Sequence, residues 1–549
     1  MKKIKDFIQK YKLPVIGFIA LAIIVASVLV FGWEGLWYDA ILAGIIGIVL
    51  TDMKKHSLLK VLTIILLVLV IVSNLLPGRQ NTIERIGAAD LLINYFSIVL
   101  QNFSYIVLFI LSVGGFYGVL NKIPSYKKLL DNIVTKIKPA RKKFIYATII
   151  LFAVITSLTG MTMPMFIFIP FIVSIILLLG YDKLVAFSST FISIIVGYIG
   201  GLFVNFINPN SYSLTTYEEF VGISEKFTEV SLLSKLLLLL TGIALLIYFV
   251  SKHIKNVEEK KVKYELTDSN EVLIAEVKGN YKNIATWPLI VVFAILLVIM
   301  IIGNIQWSAL FNITFFSELH RQIIEWKIND YAVIPNIISA NLPALGEWSA
   351  SGNFMAVYIY SSMLVVFATL IITLVYKIKI NESIDNFVEG VKKLLPAATL
   401  ITLAFTILVC SYNNGFYEVV IANYGKFNYG VSSLLAFLGC ILNVDTTWIV
   451  AGIYSPIIEL ITDKSIFASV AMLLQGIYGI FMMVGPTSLL LILGLSYLDI
   501  PYNTYLKYIW RFVLIILLLI CVIILIILKS YLLAALLLLA LIAINIFVL

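Results

Sequence analysis

Ser157-Leu158-Thr159-Gly160-Met161-Thr162-Met163-Pro164 is the stretch on which the reading of this chain turns. An apolar run arriving from Phe144 stops at this polar turn, and a second apolar run leaves from Met165 to Gly180. Each arm is about 15 residues, roughly 22 Å of helix, whereas a full bilayer span needs about 20 residues. Two short arms around a polar tip predict a re-entrant hairpin over 144–180, entering and leaving on one side. Tyr181-Asp182-Lys183 closes it. The next apolar segment, 184–211, is interrupted at Asn205-Phe206-Ile207-Asn208-Pro209-Asn210-Ser211.

The same order recurs later. A second hairpin is predicted over 429–462, with Asn443-Val444-Asp445-Thr446-Thr447 at its tip and Thr462-Asp463-Lys464 at its base. The segment after it, 465–498, breaks at Gly485-Pro486-Thr487-Ser488. One copy alone reads as ordinary helix ends with turn residues. The ordered recurrence is the sequence mark of a secondary transporter built from repeats.

Composition agrees. Of the 549 residues 61% are hydrophobic and 13% charged, a balance that no soluble domain has. Repeated apolar runs predict an all-α polytopic membrane protein of about 12 spans plus the two hairpins. The spans fall near 14–32, 36–51, 57–76, 97–120, 184–205, 231–251, 286–304, 352–376, 394–412, 465–498, 508–528 and 531–549. The basic N-terminus precedes a long apolar run with no small-residue cleavage site, which predicts an uncleaved first helix. Cys410, Cys440 and Cys521 sit in apolar runs and read as packing residues.

With the N-terminus on the cytoplasmic face, most of the 39 Lys and Arg residues fall in inner loops, which fixes the orientation. The net charge of +9 then faces anionic lipid, not nucleic acid. An odd number of spans separates the hairpins, so the first opens inward, the second outward, and the repeats are inverted. Tyr126–Lys138 is amphipathic, with Leu129, Leu130, Ile133, Val134 and Ile137 at helical spacing. It and the aromatic stretch 417–429 read as interfacial helices. The organisation is N-terminal spans over 1–80, a first repeat over 81–251, a charged tether over 252–285, a second repeat over 286–528 and a last span over 529–549. An outer excursion, 305–350, carries Trp307, Trp326 and Trp348 as interface anchors.

No phosphate-binding Gly-Lys loop or nucleophile elbow occurs. His56, His253 and His320 lie in predicted loops without metal-ligand spacing. Nothing points to an enzyme or a resident cofactor. The candidate chemistry lies in helix ends. A helix that stops inside the membrane leaves carbonyls or amides without partners, and each orphan costs several kcal/mol there. Free carbonyls suit Na⁺, and free amides suit a carboxylate. Thr159, Gly160, Thr162, Asn208, Pro209, Asn210 and Ser211 are predicted to line one side of a midplane pocket. Asn443, Asp445, Thr446, Thr447, Pro486, Thr487 and Ser488 are predicted to line the other. Asp445 could bind Na⁺, carry a proton, pair with a substrate amine, or simply cap the helix beginning near Thr446. Asp182 and Asp463 read as interfacial caps or pairs.

Over roughly residues 85–530 the chain resembles the YfcC-like branch of the anaerobic C4-dicarboxylate carrier (DcuC-type) family, within the ion transporter superfamily. The resemblance rests on Gly160-Met161, Leu179-Gly180-Tyr181-Asp182, Asn208-Pro209, Asn381-Glu382 with Gly390, Pro486-Thr487-Ser488, and Pro501-Tyr502 before Lys507 and Trp510. It implies a static scaffold and a moving transport domain, usually in a homodimer, working as an elevator. Na⁺, H⁺ or exchange would drive it. Implied substrates are dicarboxylates, other organic anions, and basic amino acids such as arginine exchanged for ornithine. The chain departs from that pattern at Thr162 and Met163, at its second tip, and near Ile477, where the relatives carry other polar or acidic residues. The expectation is a secondary transporter of a small amino acid or carboxylate in the cell membrane. A non-transporting membrane scaffold and a membrane enzyme acting on lipid-linked substrates are the rival classes.

Overall fold

A computed structural model describes residues 57–75, 86–202, 217–259, 285–305, 307, 311–337, 348, 354–416, 439–442, 467–527 and 530–547. These residues are helical almost throughout. The helices that build the fold are α1 (Ser57–Leu75), α2 (Phe96–Lys122), α3 (Pro124–Ile137), α4 (Arg141–Thr159), α5 (Ile169–Leu178), α6 (Lys183–Phe187), α7 (Ser193–Ile199) and α8 (Tyr217–Glu258). Then come α9 (Trp287–Asn304), α10 (Phe315–Glu325), α11 (Phe354–Val375), α12 (Ile380–Asn413), α13 (Phe467–Val484), α14 (Leu489–Leu498), α15 (Tyr502–Ile527) and α16 (Tyr531–Phe547). A turn of π-helix, Ser188–Ile192, joins α6 to α7.

Among the described residues eight helical stretches are long and apolar enough to cross a bilayer. Of the predicted spans, 14–32 and 36–51 lie outside the described residues, as does the second hairpin except for 439–442. Large apolar side chains cover the outside: Ile290 and Ile295 on α9, Leu370 and Leu374 on α11, and Leu532 and Leu536 on α16 are all exposed. A water-soluble fold would not present so many together, and lipid is the solvent that suits them.

At the centre α2 lies against α12. A Cβ at Gly390 would stand 2.1 Å from the Gly114 carbonyl oxygen, and one at Gly118 would stand 2.2 Å from that of Asn386. Only hydrogen fits there, so the two backbones approach more closely than larger side chains would allow. Further along, the Phe103 and Phe405 rings stack at 4.2 Å. The sequence places this second span at 394–412, but α12 begins at Ile380 and carries Pro396 inside it. A proline inside a membrane helix is tolerated when neighbouring groups satisfy the freed carbonyl.

The first predicted hairpin folds as helix, turn and helix. α4 ends at Thr159, a short 3-10 turn covers Met163–Ile167, and α5 follows. The segment returns to its start: the Arg141 guanidinium lies 5.3 Å from the centre of the Tyr181 ring. Both residues reach Glu258 at the end of α8. Arg141 Nη2 donates to Glu258 Oε1 at 2.9 Å, Lys142 Nζ stands 2.8 Å from Oε2, and the Tyr181 hydroxyl lies 3.4 Å from Oε1. α3 is amphipathic as expected, burying Tyr126, Leu129 and Leu130.

Four expectations change. The segment after the first hairpin ends its helix at Ile199, ahead of the predicted interruption at 205–211, because Gly200 and Gly201 follow. His253 sits on α8 and not in a loop, since that helix continues to Glu258. The excursion 305–350 holds α10 and a two-stranded hairpin, Lys327–Ile328 with Tyr331–Ala332, turning on Asn329 and Asp330 at φ 49° and 64°. Trp348 is buried rather than interfacial, with its indole packed on Gly303. A Gly390→Val change should cost about 1–3 kcal/mol through overpacking. The melting temperature of the purified protein in detergent, compared with that of wild type, checks this.

Candidate functional site

The tip of the first hairpin is a left-handed turn. Gly160 has φ 71° and its N–H donates to the Thr156 carbonyl at 2.8 Å. Glycine adopts this conformation without the cost a Cβ imposes. The Thr159 hydroxyl is occupied within the turn, donating to the Ile155 carbonyl at 2.7 Å and accepting from the Met161 N–H at 3.2 Å. Thr162 precedes the 3-10 turn, and no side chain caps that turn's N-terminus. Gly160 and Thr162 are both partly exposed.

The first break is the C-terminal end of α7. Its carbonyls are the orphans expected of any helix end. Gln475 of α13 donates through Nε2 to the carbonyls of Tyr198 at 2.9 Å and Ile199 at 3.0 Å. Ser157 Oγ donates to the Gly200 carbonyl at 2.7 Å, and its backbone carbonyl accepts from the Leu202 N–H at 3.0 Å. Both side chains are buried. The arm of the hairpin, the end of α7 and the middle of α13 are thereby joined.

The second break separates α13 from α14. Ser488 caps α14, accepting from the Leu491 N–H at 3.4 Å and donating to the Met482 carbonyl at 3.1 Å. The hydroxyls of Tyr505 and Tyr502 donate to the carbonyls of Met483 and Val484. Thr487 Oγ1 donates to the Ile441 carbonyl at 2.9 Å, two residues before the predicted second tip. Pro486 is partly exposed, whereas Thr487 and Ser488 are buried. Thus each break is bonded to the arm that leads into its own tip, by Ser157–Gly200 in one half and Thr487–Ile441 in the other.

Of the predicted pocket residues, Thr159, Gly160, Thr162, Pro486, Thr487 and Ser488 are placed. Asn208, Pro209, Asn210, Ser211, Asn443, Asp445, Thr446 and Thr447 lie outside the described residues. No hydrogen bond among the described residues joins the first tip directly to Pro486–Ser488; α7 and Gln475 stand between them. The hydroxyls of Thr159, Thr487 and Ser488 hold helix ends together rather than pointing free. Sequence reading passed over Gln475. Its signal was present, a lone amide in the apolar run Met472–Gly479, where burial without a partner would be costly.

The hairpin base carries a second buried polar group. Asp182 caps α6 by accepting from the Val185 N–H at 2.8 Å, and its other oxygen lies 2.8 Å from His253 Nε2. The expected cap is there, but the partner is a histidine on α8 rather than the neighbouring lysine. Ser188 Oγ and the Tyr508 hydroxyl lie 2.9 Å apart, and the Tyr508 ring meets His253 edge-on at 4.8 Å. The pair fastens α6, α8 and α15 to one another.

Apolar spanning helices, a folded-back segment and broken helices with polar breaks define a polytopic membrane carrier. The family model for the C4-dicarboxylate anaerobic carrier (DcuC) matches residues 40–530, and the chain belongs to that family. The family is one of carriers, so the chain is not an enzyme. No curated protein and no solved structure matches the chain.

Ser157→Ala should leave the Gly200 carbonyl and Leu202 with fewer partners and lower stability by about 1–3 kcal/mol, the cost of a buried unsatisfied group. Thr159→Ala should cost less, because it removes a bond within one helix turn. Melting temperatures of the two variants in the same detergent test the order.

Proposed function

We propose that the chain is a secondary active carrier of a small organic anion across the cell membrane, with C4-dicarboxylates the first substrates to test. One observation carries the choice of an anion. The helix ends described so far have their carbonyls occupied by hydroxyl and amide donors. Carbonyl ends closed in this way offer few ligands to a cation, and the family model that matches residues 40–530 describes C4-dicarboxylate carriers. An amino acid, the other expectation, would need a negative partner for its ammonium group, and that role would fall to Asp445.

In this reading 144–180 is a re-entrant hairpin and the two halves are inverted repeats. The return of the segment to Arg141 and Tyr181 supports the first. The paired stitching of breaks to arms supports the second. The close α2–α12 pair would be the centre of a static scaffold. The hairpins, α6–α7 and α13–α14 would move as an elevator, in a homodimer with cytoplasmic N-termini. Na⁺, H⁺ or counter-solute supplies the driving force.

The test is uptake of a labelled C4-dicarboxylate into liposomes that hold the purified protein, with arginine and a monocarboxylate as competitors. Saturable uptake blocked by unlabelled dicarboxylate but not by arginine is expected. Gly160→Ala should lower it at least about tenfold while the protein stays folded, because a Cβ in the left-handed turn costs about 1–2 kcal/mol and displaces the tip. Arginine uptake with no dicarboxylate uptake would reverse the choice of substrate.

A further inference from the structure

We propose that Gln475 stands in for a cation at the end of α7, so that the carbonyls of Tyr198, Ile199 and Gly200 bind no Na⁺ in this protein. The inference deepens the carrier reading and rests on it for its meaning in transport. The binding test below does not need transport.

The carbonyl end of a helix carries partial negative charge and is the natural ligand set for a cation. Here the positive ends of a side-chain dipole take that place. Both groups facing the Gln475 amide are carbonyl oxygens, at 2.9 and 3.0 Å, so it is the NH₂ and not the oxygen that points at them. Both amide hydrogens are used in this way. The third carbonyl of the set, Gly200, is taken from the other side by Ser157 Oγ.

Space argues the same way. Gln475 is 4% exposed, so water does not compete for the site. One turn further on, a Cβ at Gly479 would stand 2.1 Å from Ile199 Cγ1. The Tyr198 and Tyr478 rings meet edge-on at 5.9 Å. α13 is therefore seated directly on the end of α7. An ion with its own ligand shell would fit between them only if the Gln475 side chain left or α13 moved away.

The consequence is specific. Coupling by Na⁺ at this break is closed off by one side chain, and the driving ion, where one is used, binds elsewhere. A single change reopens the site. Gln475→Glu replaces two donors with a carboxylate facing two carbonyls, and that cluster of oxygens requires a cation or a proton. Gln475→Ser keeps a hydroxyl ligand and vacates the volume of the longer side chain.

The experiment compares melting temperatures of purified wild type, Gln475→Glu and Gln475→Ser in detergent, in NaCl and in choline chloride at equal ionic strength. Each variant should melt below wild type in choline and gain about 2 °C or more in Na⁺ beyond any gain of wild type. The serine variant keeps the test decisive if the glutamate variant does not fold. Two variants whose Na⁺ response equals that of wild type would overturn the proposal. So would a Na⁺ response of wild type that both variants lose, because Gln475 would then be a ligand of the ion. A failure of dicarboxylate uptake would count against the carrier reading and leave this comparison standing.

Discussion

A helix end buried among apolar side chains must find hydrogen-bond partners, and that need organises this protein. At the end of α7 three consecutive carbonyls are served by Gln475 and Ser157. Each would cost several kcal/mol if left bare in hydrocarbon. The donors come from elements distant in sequence, so meeting the need also fixes where those elements lie. Ser157 positions the arm that ends in the Gly160 turn. Gln475 positions α13, whose own end is closed by Ser488, Tyr502 and Tyr505. The polar residues of the breaks are thus builders first, and of the placed pocket residues Gly160, Thr162 and Pro486 are the ones left partly exposed.

Charge gathers at the base of the first hairpin. Arg141, Lys142 and Glu258 meet where the first hairpin begins and finishes. One layer inward, the buried Asp182 lies 2.8 Å from Nε2 of the partly buried His253. Such a pair adds little net stability but is costly to break on one side. Its effect is positional: it joins the start of α6 to α8, while Tyr508 brings in α15. The hairpin is therefore held at both its base and its tip, and a load on the tip is passed to α7 and α13.

The membrane class, the turn between α4 and α5, the amphipathic α3 and the break at Gly485–Ser488 were all legible in the sequence. Each depends on local signals: hydrophobic run length, helical spacing, and Gly or Pro at a turn. The errors came where a local rule falls short. The span placed at 394–412 is only the second part of α12, which begins at Ile380, because its polar first turns carry no long apolar run. His253 was assigned to a loop because the charged stretch after it resembles a tether, whereas α8 continues to Glu258 and His253 pairs with Asp182. Gln475 escaped notice because a lone amide in an apolar run says only that some partner exists, and the partner is backbone in the other half of the chain. The family was legible from the order of weak motifs, whereas the solute it carries depends on tips whose residues differ from the family pattern.

The central claim is that the chain from Arg141 to Tyr181 enters the membrane, has its tip fastened to the end of α7, and leaves where it entered. Labelling by a membrane-impermeant maleimide tests this directly, in sealed vesicles, on a protein with Cys410, Cys440 and Cys521 replaced. Single cysteines are placed at the two exposed ends, Lys138→Cys and Gly180→Cys. The account predicts that both label from the same side of the membrane. Labelling from opposite sides would mean that the segment crosses the bilayer, and would contradict it.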